Sequence, residues 1–165
     1  DRVLGSIHCL PWQGEMVDAS TPGFLTAEHA AAQFRAYLRE TEAMLESDQA
    51  FEVLAHLDYP KRYWPAQAPY RPAEFEAELR AVLRAAAGRG TVLEINTTRG
   101  GEPDRYLVPG REVLGWWRAA GGRAVAFGSD AHDPGKIGAG FQLAGQLVEA
   151  AGFRPQDDPN GYWLA

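Results

Sequence analysis

Four short apolar runs punctuate the chain: Val3–Ile7, Phe51–Ala55, Thr91–Ile95 and Ala124–Phe127. Each is rich in Val, Leu and Ile, and unbroken runs of this length suit parallel strands buried on both faces. Each also leads into a polar cluster: Ser6-Ile7-His8, His56-Leu57-Asp58, Glu94-Ile95-Asn96 and Ser129-Asp130-Ala131-His132. From His8 through His56 and Glu94 to Asp130 the intervals are 48, 38 and 36 residues. A βα unit needs roughly 30 or more, so the pattern predicts four βα units in tandem.

Helical spacing fills the intervals. One helix is expected to open at Thr26–His29, with Thr26 as N-cap and Ala30, Phe34, Tyr37, Leu38, Met44 and Leu45 on its apolar face. A second spans Pro72–Ala87, with Pro72 near its first turn and Gly88 just past its end. Arg111–Ala120 and Ile137–Ala151 follow, stopped by Gly121-Gly122 and Gly152. The proline- and aromatic-rich stretch Tyr59–Arg71 reads as a long functional loop, and Gly161–Ala165 as a last short strand. Right-handed crossovers lay consecutive strands side by side. The expected fold is therefore α/β: a sequentially ordered parallel sheet with helices on one side, residues 1–165 forming a single domain.

Composition narrows the function. With 45% hydrophobic and 23% charged residues the chain reads as soluble and globular. A net charge of −6 argues against nucleic-acid binding by bulk positive charge. The single cysteine, Cys9, excludes an internal disulfide and with it an oxidised secreted scaffold. No apolar run approaches the roughly 18–20 residues of a membrane span, and no leader peptide is visible. A cytoplasmic location is the expectation. The chain opens at Asp1, directly before a strand-like run, which reads as a piece of a longer polypeptide.

The polar clusters sit at the C-terminal ends of their strands, where parallel α/β folds place ligands. By itself, His8 or His56 reads first as a hydrogen-bonded loop histidine. Together with Asp130 and His132 they form a metal-site pattern suited to Zn, Mn, Fe or Co. Asp130 and His132, two apart at a strand end, are expected on one face. Cys9 faces away from its neighbour and reads as a small packed residue, and His29, near a helix start, is left out. Asp58 is either a partner behind a ligand or a loop cap. Glu94 is a ligand, a rim charge or a supporting group. Asn96, Thr97 and Arg99 are loop donors. Lys61, Arg62 and Arg99 read either as solvated surface or as a clamp on an anionic substrate.

These residues resemble the histidinol-phosphatases of the polymerase-and-histidinol-phosphatase (PHP) superfamily. The resemblance rests on Gly5-Ser6-Ile7-His8, on Leu54-Ala55-His56-Leu57-Asp58 with Lys61-Arg62-Tyr63, on Leu93-Glu94-Ile95-Asn96-Thr97, and on Gly128-Ser129-Asp130-Ala131-His132 followed by Gly138. It implies a distorted (β/α)7 barrel with up to three divalent metal ions at its C-terminal rim. The implied activity is metal-dependent hydrolysis of a phosphate monoester such as L-histidinol phosphate, a reaction of histidine biosynthesis, by attack of metal-bound hydroxide. Position by position, His8, His56, Asp130 and His132 match metal ligands, with Asp130 and His132 also in the catalytic role. Arg62, Arg99 and Asn96 match substrate-binding positions.

The family's His-x-His strand, two further histidines and a bridging glutamate precede the position of His8 and are absent here. The resemblance implies that the four matched ligands serve different metals, with His8 and His56 sharing one. The expectation is thus four βα units of the barrel without its N-terminal strands, binding metal weakly alone. Its expected partner is the missing N-terminal half or another copy of itself. The alternatives are a PHP-type nuclease or proofreading module, which the acidic charge and Lys61-Arg62-Tyr63 argue against, and a non-catalytic half.

Overall fold

In the computed structural model, which describes residues 2–98, 107–157 and 161–165, the apolar runs become strands of one sheet. They are β1 (Leu4–Gly5), β4 (Val53–Leu54), β5 (Val92–Asn96) and β6 (Ala124–Gly128). All three junctions between them are parallel, and the order follows the sequence. The expected final strand, β7 (Trp163–Leu164), adds antiparallel to β6 and completes a five-stranded sheet. β2 (Cys9–Trp12) and β3 (Glu15–Asp18) form a separate antiparallel hairpin, turned by Gln13 and Gly14 at φ 51° and 88°. Positive φ at both central residues is the signature of a two-residue hairpin turn.

The inner strands are largely apolar because side chains on both of their faces are buried. Leu54, Leu93, Ile95 and Val125 join buried residues of the four α-helices among the described residues in the main core. Those helices are α1 (Ala30–Glu46), α2 (Glu76–Arg89), α3 (Arg111–Ala119) and α4 (Phe141–Ala150). Alternation turns Val53, Val92 and Ala124 to the other face, where they form a smaller cluster with Ala126 and Tyr162. Fully burying a side chain such as Phe34, Leu79 or Val125 stabilises the fold by roughly 1.5–3 kcal/mol. The Trp117 ring is also fully buried, and its Nε1 donates to the Ala124 carbonyl at 3.2 Å, pinning α3 to the start of β6.

Several expected boundaries move, each for a local reason. α1 begins at Ala30, after a turn in which the Thr26 carbonyl accepts from His29 and Ala30; the Thr26 side chain makes no cap. α2 runs on through Gly88 and stops at Gly90, whose φ of 76° supplies the left-handed cap. The Pro72 end of that segment is a short 3-10 turn, Pro72–Phe75. α4 starts at Phe141 rather than Ile137, because Gly138 and Gly140 both take positive φ. Tyr59–Tyr63, inside the expected loop, is a 3-10 helix. Cys9 is exposed on the hairpin rather than packed.

Candidate metal and phosphate site

His8 leaves β1 and His56 leaves β4, adjacent parallel strands, so their rings meet at the C-terminal edge of the sheet. Their Nε2 atoms lie 3.2 Å apart. Two imidazole nitrogens held roughly 2.0–2.1 Å from one cation at near-tetrahedral angles stand about that far apart. His56 takes a left-handed backbone, φ 28°, a conformation non-glycine residues keep only where their surroundings impose it. Tyr59 packs on both rings, stacked on His8 at 4.7 Å and tilted against His56 at 5.0 Å. Burial, with the neighbouring His8 ring and the Arg62 guanidinium, pushes the His56 ring down to about 4. At neutral pH His56 is therefore uncharged, with a lone pair to offer a cation.

The hairpin contributes a group that sequence reasoning missed. Asp18, the last residue of β3, places Oδ2 3.7 Å from His8 Nδ1. Burial pushes its carboxyl up, but hydrogen bonds from Ser20, together with the charge of the nearby His8 ring, outweigh this and hold it below its usual range. A carboxylate behind the outer nitrogen of a histidine is the usual way such a ring is oriented toward a metal. The signal available in the sequence was the Gln13-Gly14 turn, which folds Asp18 back beside Cys9.

Glu94 is buried inside the site rather than at its rim. Its Oε2 accepts from the His56 backbone N–H at 2.8 Å and from Asn96 Nδ2 at 3.4 Å. Burial pushes its carboxyl above the usual value, against the hydrogen bonds from His56 and Asn96.

Beside this lies a polar network centred on Arg62. The Arg62 side chain, 5% exposed, reaches Asp130 Oδ2 at 3.4 Å and Thr98 Oγ1 at 3.2 Å, and also donates to Asn96 Oδ1. Thr98 Oγ1 donates to Asp130 Oδ2 at 3.0 Å. Arg62, Asn96, Thr98 and Asp130 thus form one network, with the Arg62 guanidinium over the Tyr59 ring. Asp130 does not share a strand face with His132, as its spacing suggested: β6 ends at Gly128, and Asp130 turns through φ 46°. The His132 ring folds back so that Nδ1 lies 2.9 Å from the Asp130 carbonyl, with its side chain 87% exposed.

Asp58 lies beneath the site as a buried carboxylate, 3.9 Å from Lys61 Nζ. His29, left out of the site, packs on Trp12 and pairs with Glu28. Arg99 lies outside the described residues. The structure thus joins His8 to His56, and Arg62 to Asn96 and Asp130. Among the described residues no group of three or more His, Cys, Asp or Glu is spaced to hold a metal ion. The histidine pair therefore fits two positions of one coordination sphere and leaves the others to further donors.

No protein-family model matches the chain. It is 30% identical over 162 residues to the "Probable histidinol-phosphatase" of Clostridium acetobutylicum, covering 94% of this chain and 59% of that protein. Against the protein of the same name from Deinococcus radiodurans it is 31% identical over 164 residues, with coverage of 93% and 56%. The chain is a relative of the histidinol-phosphatases. It spans somewhat more than half the length of these curated histidinol-phosphatases. The crystal structure of the Lactococcus lactis histidinol phosphate phosphatase, complexed with zinc, L-histidinol and phosphate, superposes with a TM-score of 0.69 at 24% identity. That superposition covers 92% of this chain and 57% of the other, so the mostly parallel α/β fold is shared.

Proposed function

We propose that this protein supplies part of a metal-dependent phosphatase site that hydrolyses a phosphate monoester, with L-histidinol phosphate the leading substrate. The observation that carries the reading is the His8–His56 pair, two imidazole nitrogens 3.2 Å apart beside the Arg62 network. The relatives' names and the zinc, L-histidinol and phosphate in the Lactococcus lactis crystal support the substrate and the metal.

In this reading His8 and His56 hold one divalent cation (Zn, Mn, Fe or Co), and Asp130 and His132 serve neighbouring cations and the catalytic step. Such cations polarise a phosphoryl oxygen and lower the pKa of water. Arg62 binds the phosphoryl oxygens, with Asn96 and Thr98 orienting its guanidinium and Arg99 a second contact. A fork of N–H donors matches a phosphate better than a point charge does. Asp18 orients His8. The remaining metal ligands come from outside the described residues, supplied by a further segment of the same barrel or by a second copy. Leu4 on β1 and Val3 just before it, each 53% exposed, give such a partner an apolar strand edge to cover.

The test is phosphate release from L-histidinol phosphate with Zn2+, Mn2+, Fe2+ or Co2+ added. It is run on this chain alone and on a chain extended to the length of the curated relatives. Metal-dependent release by the extended chain, abolished by His56→Ala, supports the proposal. Release that is indifferent to chelator, or to His56→Ala, refutes it.

A further inference from the structure

The buried carboxylate of Glu94 points to a role the phosphatase reading leaves unassigned. We infer that Glu94 is a positioning residue: its hydrogen bond to the His56 backbone sets that ring for metal binding, and position 128 is glycine so that the carboxylate can stay. The inference rests on the reading of His8 and His56 as a metal-binding pair.

Three strands meet at this carboxylate. Glu94 belongs to β5, and its Oε2 accepts the His56 N–H at 2.8 Å just past the end of β4. Its other oxygen lies against β6: a Cβ built on Gly128 would stand 1.8 Å from Oε1 and 2.8 Å from Cδ. The end of a long side chain normally swings away from such a clash. Here Glu94 is 4% exposed, and a carboxylate pushed off Gly128 would have to release His56. Among the described residues no Lys, Arg or His lies within ion-pair distance of Glu94, and the Arg62 guanidinium favours its charge only from further off. An unpaired buried charge is costly to a fold, so a purely packing role would be better served by an apolar side chain. What the carboxylate supplies is a charge-assisted acceptor for the N–H of a residue held at φ 28°. The direction of the His56 ring, and hence its 3.2 Å approach to His8, follows from that backbone.

The experiment compares Glu94→Gln, which keeps an acceptor, with Glu94→Leu, which keeps the bulk and loses it. Glu94→Ala, Gly128→Ala and the double variant Glu94→Ala/Gly128→Ala complete the set, with circular dichroism checking the fold of each. One readout is Co2+ affinity, by visible absorption and calorimetry. A second, metal-free readout is the 15N-resolved ring spectrum of His8 and His56. Glu94→Gln should bind Co2+ within about threefold of wild type, and Glu94→Leu about 10–100-fold more weakly. Gly128→Ala should resemble Glu94→Leu. Adding Gly128→Ala to Glu94→Ala should cost nothing further, because the clash has gone. The His56 ring signals should shift in Glu94→Leu and stay in Glu94→Gln. Unshifted ring signals and wild-type Co2+ affinity in Glu94→Leu would overturn the inference. A wild-type chain whose His8 and His56 signals ignore Co2+ would instead overturn the metal reading, and the ring spectra would still decide the role of Glu94. Should Glu94→Leu fail to fold, Gly128→Ala provides the same comparison, with wild-type rings in that variant again overturning the inference.

Discussion

His8 and His56 approach to 3.2 Å between Nε2 atoms although 48 residues separate them. The contact exists because β1 and β4 are parallel neighbours, and both chains leave the sheet at the same edge. Without a cation, one of the two nitrogens donates a proton to the other; with a cation, both lone pairs turn to it. The two rings therefore act as a unit. His8→Ala and His56→Ala should each weaken Co2+ or Zn2+ binding by at least the about 10–100-fold expected for an outer partner. The double variant should be scarcely weaker than either. Calorimetric titration checks this; full additivity would mean that the rings bind separately.

The His56 ring should resist protonation. Its environment lowers it to about 4, burial being the largest cause. Between pH 6.5 and about 4 the unfolded chain takes up a proton at this position that the folded chain refuses. The stabilising contribution is thus complete above pH 6.5 and is lost as pH falls toward 4, on the order of 3 kcal/mol in all. Glu94 and Asp58, whose carboxyls burial pushes up, act in the opposite sense. The clean measurement is therefore the ring itself: a histidine NMR titration should show the His56 midpoint near 4. A midpoint near 6.5 would show the ring to be solvated.

Arg62 should be irreplaceable by lysine. Its guanidinium spans Asn96, Thr98 and Asp130 together, which a single ammonium cannot do. Both Arg62→Lys and Arg62→Ala should weaken phosphate binding by about ten- to a hundredfold, the worth of hydrogen bonds to a charged group. Co2+ binding at His8 and His56 should hold. Phosphate titration followed by 31P NMR distinguishes the outcomes; unchanged binding in Arg62→Lys would reduce the residue to a point charge.

Gly122→Ala should destabilise without touching the site. A Cβ there would stand 2.1 Å from the Trp117 ring, which is fully buried and tied to the Ala124 carbonyl. Overpacking of this kind costs about 1–3 kcal/mol, or roughly 2–4 °C of Tm per kcal/mol in a chain of this size. Calorimetric melting is the check, and an unchanged Tm would mean that the ring has room to move.

What was legible in the sequence was whatever strand burial wrote into it. The runs around Leu54, Leu93 and Val125 are apolar because both sheet faces are covered, and that made strand order and the edge carrying His8 and His56 readable. The β2–β3 hairpin was not read, because its strands are four residues long and Pro11 inside one of them is unusual for a strand. Asp18 was lost with it. That Asp130 meets Arg62 as well as His132 depends on a left-handed backbone at a non-glycine residue, which no periodicity announces. Glu94 was left among three roles because alternation gives its face of the sheet but not its partner, the main chain just past the neighbouring β4.

The buried pair beneath the site should be strongly asymmetric to mutation. The Asp58 side chain is 1% exposed and Lys61 6%, with Nζ 3.9 Å from Oδ2. Lys61 has other support: it donates to the Leu107 carbonyl at 2.9 Å and lies over the Tyr70 ring. Asp58 makes no close, well-aligned hydrogen bond with either oxygen among the described residues, and Arg62 and the Tyr70 hydroxyl give its charge only weaker support than Lys61. Burial pushes its carboxyl up, and Lys61 is the first group to counter that. Removing the cation with Lys61→Met therefore leaves an uncompensated buried carboxylate, worth about 3–5 kcal/mol of lost stability at neutral pH. Asp58→Asn should cost much less, since it removes the charge and keeps the shape, and in the double variant it should restore much of the loss. At acid pH, where the raised Asp58 carboxyl takes up its proton, the Lys61→Met deficit should shrink. Thermal melts of the three variants at pH 7 and pH 5 test this, and a Lys61→Met loss as small as that of Asp58→Asn, or independent of pH, would show that Lys61 packs beside Asp58 without compensating it.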